Sequence, residues 1–377
     1  MQTLFEDALE QSISTIRHNL KNLTYFPESF KDNQWNLVEP DRDAAHWVDG
    51  FWTGLLWLAY AHTQDDDLKE GAEQWTQKLT FMKNRRGTHD LGFIFHLSHV
   101  LGGRITGDES WFPDAIEAAD TLIKRYNVNG EYLQAWDDDG IQKWAGRINI
   151  DVMMNLSLLH WASVRTGDPS YADIATQHAR TSRLALVRGD GSTAQLGDFN
   201  PNTGLFLRRE QHQGFSYDSC WSRGQSWALY GFATSYRYTG IQTFLTTARA
   251  VADYTEKNLP DDLIPYWDYN SPHIPNTYRD SSAAATNVCG LIELANCDPE
   301  NAQRWRDLAE KILVSLCNNY LIRDVSGASS ILKDAARSVP HKLMDHGLVY
   351  GDYYFLEALT AFLRKDIHDR AFAIELN

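Results

Sequence analysis

The chain has 377 residues, a formal net charge of −15 and 43% hydrophobic residues. Such an acidic protein is a poor partner for nucleic acids or anionic membranes, because both repel negative charge. No apolar run reaches the ~20 residues of a membrane span, and the first 20 residues lack the basic start and apolar block of a secretory signal. Four cysteines without a CxxC spacing indicate buried free thiols in a reducing compartment. We therefore expect a cytoplasmic protein, or a periplasmic one whose signal has been removed.

Two kinds of helix alternate along the chain, starting with an amphipathic segment at residues 1–20. Six later segments are apolar on all faces, which is typical of buried helices, and amphipathic segments that suit an outer layer separate them. The six apolar segments begin at Asp49, Asp90, Asp151, Arg223, Asp280 and Gly351. Six helices of each kind predict an all-α protein, a closed (α/α)6 toroid that forms a single domain over residues 1–377.

Strand signal is weak along the whole sequence. Residues 186–215 and 263–270 have strand-like composition, and we expect long loops or a short hairpin there rather than a sheet. Because each outer helix returns the chain, all six inner helices should run in the same direction. Their N-termini, each with unpaired N–H groups and a partial positive charge, should converge on one mouth that attracts anionic ligands.

Aspartates mark the starts of the inner segments: Asp49, Asp90, Asp151 and Asp280 begin four of them, and Asp352 lies one residue into the last. Helix capping explains such a set simply, at about 1 kcal/mol each. Tryptophans and a phenylalanine are expected around the same mouth, namely Trp47, Phe51, Trp52, Trp136, Trp221, Trp227 and Trp267. Several carboxylates in an aromatic cavity suit sugar chemistry, in which one acid stays protonated near neutral pH. Position alone leaves capping and catalysis open.

Other chemistries have weaker support. His89 and His212 lack a metal-ligand spacing such as HExxH, so we predict no metal site and expect hydrogen-bonding roles. The stretch GFSYDSC is not a GxSxG nucleophile elbow, and neither a phosphate loop nor a calcium loop is found.

Eight motifs together resemble glycoside hydrolase family 88, the unsaturated glucuronyl hydrolases. They are WVDGFWTG (47–54), HDLGF (89–93), QAW (134–136), GRINIDVMMNL (146–156), HQG (212–214), WSRGQSWALYGF (221–232), YRDSSAAA (278–285) and GDYYFLEAL (351–359). The resemblance covers nearly the whole chain and implies the same toroid. It also implies removal of the 4,5-unsaturated uronic acid that a polysaccharide lyase leaves at the non-reducing end of an oligosaccharide, without metal or organic cofactor.

By this resemblance Asp151 is the general acid and base, and Asp90 is its partner carboxylate. Asp151 would protonate C4 of the vinyl ether, and water would add at C5, giving a hemiketal that opens to a 4-deoxy-5-keto uronic acid. Arg223 suits the uronate carboxylate because a guanidinium binds it bidentately. The predicted substrate-binding residues are Trp47, Phe51, His89, Trp136, Gln195, His212, Gln213, Trp221, Arg223, Trp227 and Lys342.

The protonation state of Asp151 poses a difficulty, since a helix N-terminus lowers the pKa of an aspartate. Desolvation by aromatic side chains and a negative Asp90 nearby act in the opposite direction. We expect these two effects to dominate, which gives an activity optimum on the acid side of neutral.

Two features depart from the family pattern. Several relatives carry a histidine where this chain has Gln195, which forms hydrogen bonds but does not titrate. The loop 325–347 resembles the corresponding loop only loosely and contains Lys333, Arg337, Ser338, His341 and Lys342. This basic cluster suggests recognition of sulfate, although a solvated loop is the simpler explanation.

Three alternative functions remain open. An unsaturated rhamnogalacturonyl hydrolase shares the fold and the chemistry but acts beside rhamnose. A sugar 2-epimerase on the same toroid needs a pair of histidine bases, and a non-catalytic sugar-binding toroid would use the aspartates only as caps. The expected partner is an unsaturated uronate-terminated di- or oligosaccharide, bound by a monomer or small homo-oligomer.

Overall fold

The computed structural model describes residues 1–38, 46–137, 145–323, 327–372 and 374. The helices are α1 (Gln2–Asn22), α2 (Asp49–Thr63), α3 (Asp66–Gln77), α4 (Leu91–Phe95), α5 (Leu101–Thr106), α6 (Phe112–Ile123), α7 (Val152–Thr166), α8 (Pro169–Leu186), α9 (Ser222–Thr239), α10 (Gln242–Asn258), α11 (Ser281–Cys297), α12 (Ala302–Ser315), α13 (Val349–Leu363) and α14 (Lys365–Phe372). A π-helical segment, His96–Val100, joins α4 to α5, so that they form one interrupted helix.

Six buried helices form a closed ring at the centre of the molecule. Going around it, α2 contacts α4, and the contacts continue through α7, α9, α11 and α13 back to α2. The outer helices α1, α3, α6, α8, α10 and α12 bury one face each. The predicted (α/α)6 toroid is therefore confirmed, including the amphipathic N-terminal helix.

Glycines shape both the ring and its turns. At Gly92 a Cβ atom would lie 2.4 Å from the Asn155 Cα, so only glycine lets α4 and α7 approach this closely. Three inner helices end at a left-handed glycine, Gly107, Gly167 or Gly240, with φ between 66° and 76°. These turns return the chain from the inner to the outer layer.

The strands lie in three small sheets at the ends of the helices. They are β1 (Phe26–Lys31), β2 (Gln34–Val38), β3 (Tyr126–Asn127), β4 (Tyr132–Leu133), β5 (Arg147–Asn149), β6 (Leu196–Phe199), β7 (Phe206–Glu210) and β8 (Gly347–Leu348). The sheet orders are β2-β1-β8, β3-β4 and β5-β6-β7, with antiparallel pairing throughout. The short hairpin expected within 186–215 is confirmed as β6–β7, but the expectation that it would not form a sheet was wrong, because it belongs to a three-stranded sheet. Its third strand, β5, lies directly before α7 and so fixes the start of that inner helix.

The four cysteines are buried and free, as predicted. Within the part of the chain that the structure describes, no helix combines the length and the apolarity needed to cross a membrane.

Candidate active site

The aspartates at the starts of the inner helices are mostly not caps. Asp280 does cap α11, since its Oδ1 accepts from the backbone N–H groups of Ser282 and Ala283 at 3.1 and 3.3 Å. Asp90 and Asp151 occupy the N-cap positions of α4 and α7 without making a side-chain cap bond. Capping is therefore confirmed for Asp280 and wrong for these two.

Two further aspartates lie inside the first turn of an inner helix. Asp352 instead accepts from the N–H groups of Ile331 and Leu332 at 3.0 and 2.8 Å, which ties a loop to α13. Both carboxyl oxygens of Asp49 are buried without a hydrogen-bond partner among the described residues. Burial, and then the charge of Glu28, raise the pKa of Asp49 to about 8. Neither residue acts as a cap.

Asp151 has the environment of an acid that stays protonated near neutral pH. Its Oδ1 is buried and has no hydrogen-bond partner in the described part of the chain. Desolvation and then the negative charge of Asp90 raise the pKa of Asp151 to about 7, and the opposing charge of Arg223 limits the rise. These are the two effects expected from the sequence to outweigh the helix N-terminus.

Asp90 is held by the two residues that precede it in the chain, Thr88 and His89. The Thr88 hydroxyl donates to Asp90 Oδ2 at 2.6 Å, and the Asp90 N–H donates to the Thr88 oxygen at 3.1 Å. His89 Nε2 lies 3.2 Å from Asp90 Oδ1, while Nδ1 of the same ring contacts the Ala135 carbonyl at 2.8 Å. The Trp136 ring packs edge-on against His89 at 5.4 Å. The predicted residues His89, Asp90 and Trp136 are thus brought together.

Replacing Asp90 by asparagine should shift the pH dependence of the reaction. Removing this negative charge removes the second cause of the raised pKa of Asp151, so Asp151 should lose its proton at a lower pH. The basic limb of kcat against pH, measured for wild type and Asp90→Asn, is expected to move to lower pH in the variant. An unchanged limb would show that Asp90 does not set the protonation of Asp151.

An aromatic wall lies near the starts of the inner helices α2, α4, α9 and α13. Trp47 packs against Tyr350 at 4.8 Å and against Phe93 at 5.8 Å, and Trp227 contacts Phe93 and Tyr354 at 5.4 and 5.5 Å. The sequence reading missed Phe93, Tyr350 and Tyr354, because their segments are apolar throughout and give no signal of which ring faces the centre.

Of the other aromatic residues predicted at the mouth, Phe51 is found there and Trp52 is not. Phe51 joins the wall, 5.9 Å from Trp47. Trp52 does not, since it is fully buried and packs against Trp75 of α3 at 6.0 Å. Its assignment to the mouth was wrong, because the residue next to Phe51 on a helix points about 100° away, here towards the outer layer.

Arg223 is an almost fully buried anchor, 1% exposed. Its Nη1 donates to Asp280 Oδ2 at 2.7 Å and to the Ala336 carbonyl at 2.8 Å, and its Nη2 donates to the Arg337 carbonyl at 2.7 Å. The guanidinium also lies 4.6 Å from the Trp221 ring. Its Nε is buried and unpartnered among the described residues. Because both terminal nitrogens already donate hydrogen bonds, a substrate carboxylate could bind only at the Nε side of Arg223 and not bidentately to the two terminal nitrogens.

A second, polar wall contains Gln195, His212 and Gln213, which hydrogen bonds join to one another. The His212 ring lies 4.8 Å from the His341 ring, and Gln195 is 1% exposed. Of the basic cluster, Arg337 pairs with Glu28 at 2.6 Å.

Two lysines complete this cluster. Lys333 lies 3.6 Å from Asp334. Lys342 is exposed in the left-handed conformation, φ 62°, and makes no ion pair within the described ranges. Residues 325 and 326 of the predicted loop 325–347 lie outside the described residues.

Comparison with known proteins agrees with this geometry. The family model Glycosyl Hydrolase Family 88 matches residues 20–362. The chain belongs to glycosyl hydrolase family 88. It is 38% identical to an unsaturated glucuronyl hydrolase of Bacillus sp. (strain GL1), over 96% of this chain and 97% of that protein. It is 35% identical to an unsaturated chondroitin disaccharide hydrolase of Streptococcus pneumoniae, over 96% and 93%.

Solved structures in the same family share the fold. The crystal structure of unsaturated glucuronyl hydrolase from Bacillus sp. GL1, described as responsible for the degradation of glycosaminoglycan, superposes with a TM-score of 0.91 at 36% identity. The superposition covers 96% of this chain and 97% of that one. The toroid and the site at its mouth therefore belong to a family of glycosidases.

Proposed function

We propose that this chain is an unsaturated glucuronyl hydrolase, which releases the 4,5-unsaturated uronic acid from lyase-generated oligosaccharides, and that residues 1–377 form its single catalytic domain. The observation that carries the proposal is Asp151, whose Oδ1 is buried without a hydrogen-bond partner among the described residues and whose pKa is raised to about 7 by desolvation and by the charge of Asp90. This acid lies in the mouth of a family 88 toroid. Such an acid can give a proton to carbon and later take one from water.

The reaction then proceeds by protonation of C4, addition of water at C5 and opening of the ring. The proton of Asp151 bonds to C4 while the electron pair of the C4=C5 bond forms the new C–H bond, leaving positive charge at C5 and the ring oxygen. Asp90, ionised nearby, stabilises that charge. Water adds at C5 and gives its proton to the Asp151 carboxylate, which regenerates the acid. The hemiketal opens by breaking the bond between C5 and the ring oxygen, which gives the 5-ketone and leaves a hemiacetal at C1. That hemiacetal then breaks its C1–O bond to the adjoining sugar, which leaves as an alcohol while C1 becomes an aldehyde.

The walls of the mouth suit an anionic sugar. The Nε side of Arg223 is buried and unpartnered within the described residues, which makes it the donor of choice for the uronate carboxylate. Trp47 and Trp136 are half-buried and offer ring faces or edges for the sugar, whereas Trp227 is 1% exposed and packs within the aromatic wall.

A panel of lyase-generated disaccharides tests this function. The purified enzyme is expected to abolish the ultraviolet absorbance of the conjugated C4=C5 bond with chondroitin, heparin, hyaluronan, gellan or ulvan products, at different rates. Turnover of a rhamnogalacturonan disaccharide alone would favour the rhamnogalacturonyl hydrolase instead. Binding of these disaccharides without loss of absorbance would favour a non-catalytic toroid.

Sulfation of the adjoining sugar is a finer question, and Lys342 is the residue with which to answer it. It is exposed and makes no ion pair among the described residues, whereas Arg337 is neutralised by Glu28. If Lys342 binds sulfate, Lys342→Ala should lower kcat/KM about tenfold on sulfated disaccharides and little on unsulfated ones. Lys311→Ala on α12 is the matched control. Equal losses on both substrates would reject sulfate recognition.

We also propose that the enzyme works in a reducing compartment, the cytoplasm, as a monomer or small homo-oligomer. Four buried free thiols support the first part. Light scattering of the purified protein measures the second.

A further inference from the structure

A single buried amide connects the two segments that form one wall of the mouth. Gln195 precedes β6, and its main-chain carbonyl accepts from the N–H of Ile150, the residue before Asp151, at 2.9 Å. Its side-chain Oε1 accepts from the backbone N–H groups of His212 and Gln213 at 3.0 and 2.7 Å. Its Nε2 donates to Gln213 Oε1 at 3.0 Å.

The chain of hydrogen bonds continues across the mouth. Gln213 Nε2 donates to the Arg337 carbonyl at 2.8 Å, and Arg223 Nη2 donates to the same oxygen at 2.7 Å. The side chain of Arg337 is held in turn by Glu28, so both the main chain and the side chain of this residue are fixed. The loop segment 335–343, which carries His341 next to His212, is thus tied to Gln195 through Gln213.

Few side chains meet the chemical requirement at position 195. The group must accept from two backbone N–H donors and donate to one side-chain carbonyl, that of Gln213, and a neutral amide does both at every pH. Its oxygen has two donors and its nitrogen one acceptor, while the side chain is 1% exposed. These contacts leave little of the amide for a sugar.

We propose that Gln195 is a positioning residue, which acts on the substrate only by fixing the 212–213 turn and, through Gln213, the loop segment 335–343. It replaces the substrate-binding role that the family resemblance gave it. The proposal rests on the function proposed above. Because its amide does not titrate and Asp151 is tuned by desolvation, Asp90 and Arg223, Gln195 should affect KM and leave the proton transfers unchanged.

Two substitutions separate the parts of this role. Gln195→Met removes the acceptor and the donor, and it should raise KM about tenfold with kcat within about twofold of wild type. Gln195→Glu keeps an acceptor for the two N–H groups, but as a carboxylate it has no proton to donate to Gln213. Once protonated, the new side chain both accepts and donates, as the amide does. Because position 195 is 1% exposed, desolvation raises the pKa of a carboxyl group placed there. The ratio of its KM to that of wild type should therefore fall from about ten at pH 8 towards one at pH 5.

Hydrogen exchange supplies a readout that needs no turnover. The amides of residues 212–213, 338–339 and 341–343 should exchange faster in Gln195→Met and, at pH 8, in Gln195→Glu, while those of α9 stay as in wild type. Gln242→Glu, the same change at the exposed start of α10, is the control and should alter nothing.

Failure of the positioning role and failure of the proposed function give different results. A fall in kcat at unchanged KM, an equal KM ratio for Gln195→Glu at pH 5 and pH 8, or unchanged exchange in Gln195→Met would each overturn the positioning role. Wild-type protein inactive on every unsaturated disaccharide would refute the proposed function, and the exchange measurement would then still test Gln195.

Discussion

Asp151→Asn should lower kcat by about 10³-fold or more, because one carboxyl group acts as the acid in the first step and the base in the second. An amide has neither proton to give nor basicity to take one. The substrate should still bind, so KM is expected to change much less than kcat. The measurement is the initial rate of absorbance loss with an unsaturated disaccharide, under saturating conditions.

The same variant should be at least as stable as wild type at pH 8. The pKa of Asp151 is raised by burial to about 7 in the folded protein, well above its unfolded value. A raised pKa adds stability that is complete below the unfolded pKa and lost as pH rises through 7. The variant has no such loss, so the gap in its favour should widen from pH 4 to pH 8 in urea unfolding.

Asp168→Asn is the matched control for this prediction. Asp168 caps the outer helix α8 by accepting from the Ser170 N–H at 2.9 Å, and asparagine caps about as well. Neither kcat nor stability should change appreciably. An Asp151→Asn enzyme with more than a tenth of wild-type kcat would contradict the assigned role.

Arg223→Met should cost about 3–5 kcal/mol of unfolding free energy, since it leaves Asp280 buried without its counter-ion. The pair is 2.7 Å apart, with side chains 1% and 0% exposed. The variant also frees the carbonyls of Ala336 and Arg337, which should displace the loop over the mouth. We expect kcat/KM to fall about 100-fold as a result.

An exposed pair provides the comparison. Arg17 and Asp65 are 2.9 Å apart, a similar distance, but their side chains are 45% and 30% exposed. Arg17→Met should therefore cost no more than about 1 kcal/mol and leave kcat/KM unchanged. Equal destabilisation of the two variants in urea would refute the anchoring role of Arg223.

Helical periodicity was enough to predict the toroid. Segments such as α2 and α11 are apolar on all faces, which in water is stable only at the centre of a larger assembly. Because these segments alternate with amphipathic ones, the simplest arrangement is a ring of buried helices inside a ring of amphipathic helices. Strands β1 and β2 were not predicted, although Asp32 and Asn33 between them form a two-residue hairpin turn with φ of 50° and 59°. The alternating pattern of β2 is only five residues long, which gives a weak strand signal.

The sequence predicted which residues form the site better than it predicted the hydrogen bonds between them. The two causes of the raised pKa of Asp151 follow from its place at a buried helix start near another aspartate. The orientation of an aromatic ring or a guanidinium cannot be predicted in this way, as Trp52 and Arg223 show, because residues distant in sequence determine it. The Arg337 carbonyl, which accepts from both Gln213 and Arg223, carries no side-chain signal at all.

The most direct test of the account is the fate of solvent hydrogen during turnover in D₂O, followed by NMR from the first seconds. The enzyme should place one deuterium on a single face of C4 at the rate at which absorbance disappears, because Asp151 delivers a solvent-derived proton to that carbon. Release of the adjoining sugar with the C4=C5 bond intact, or with no deuterium at C4, would contradict it.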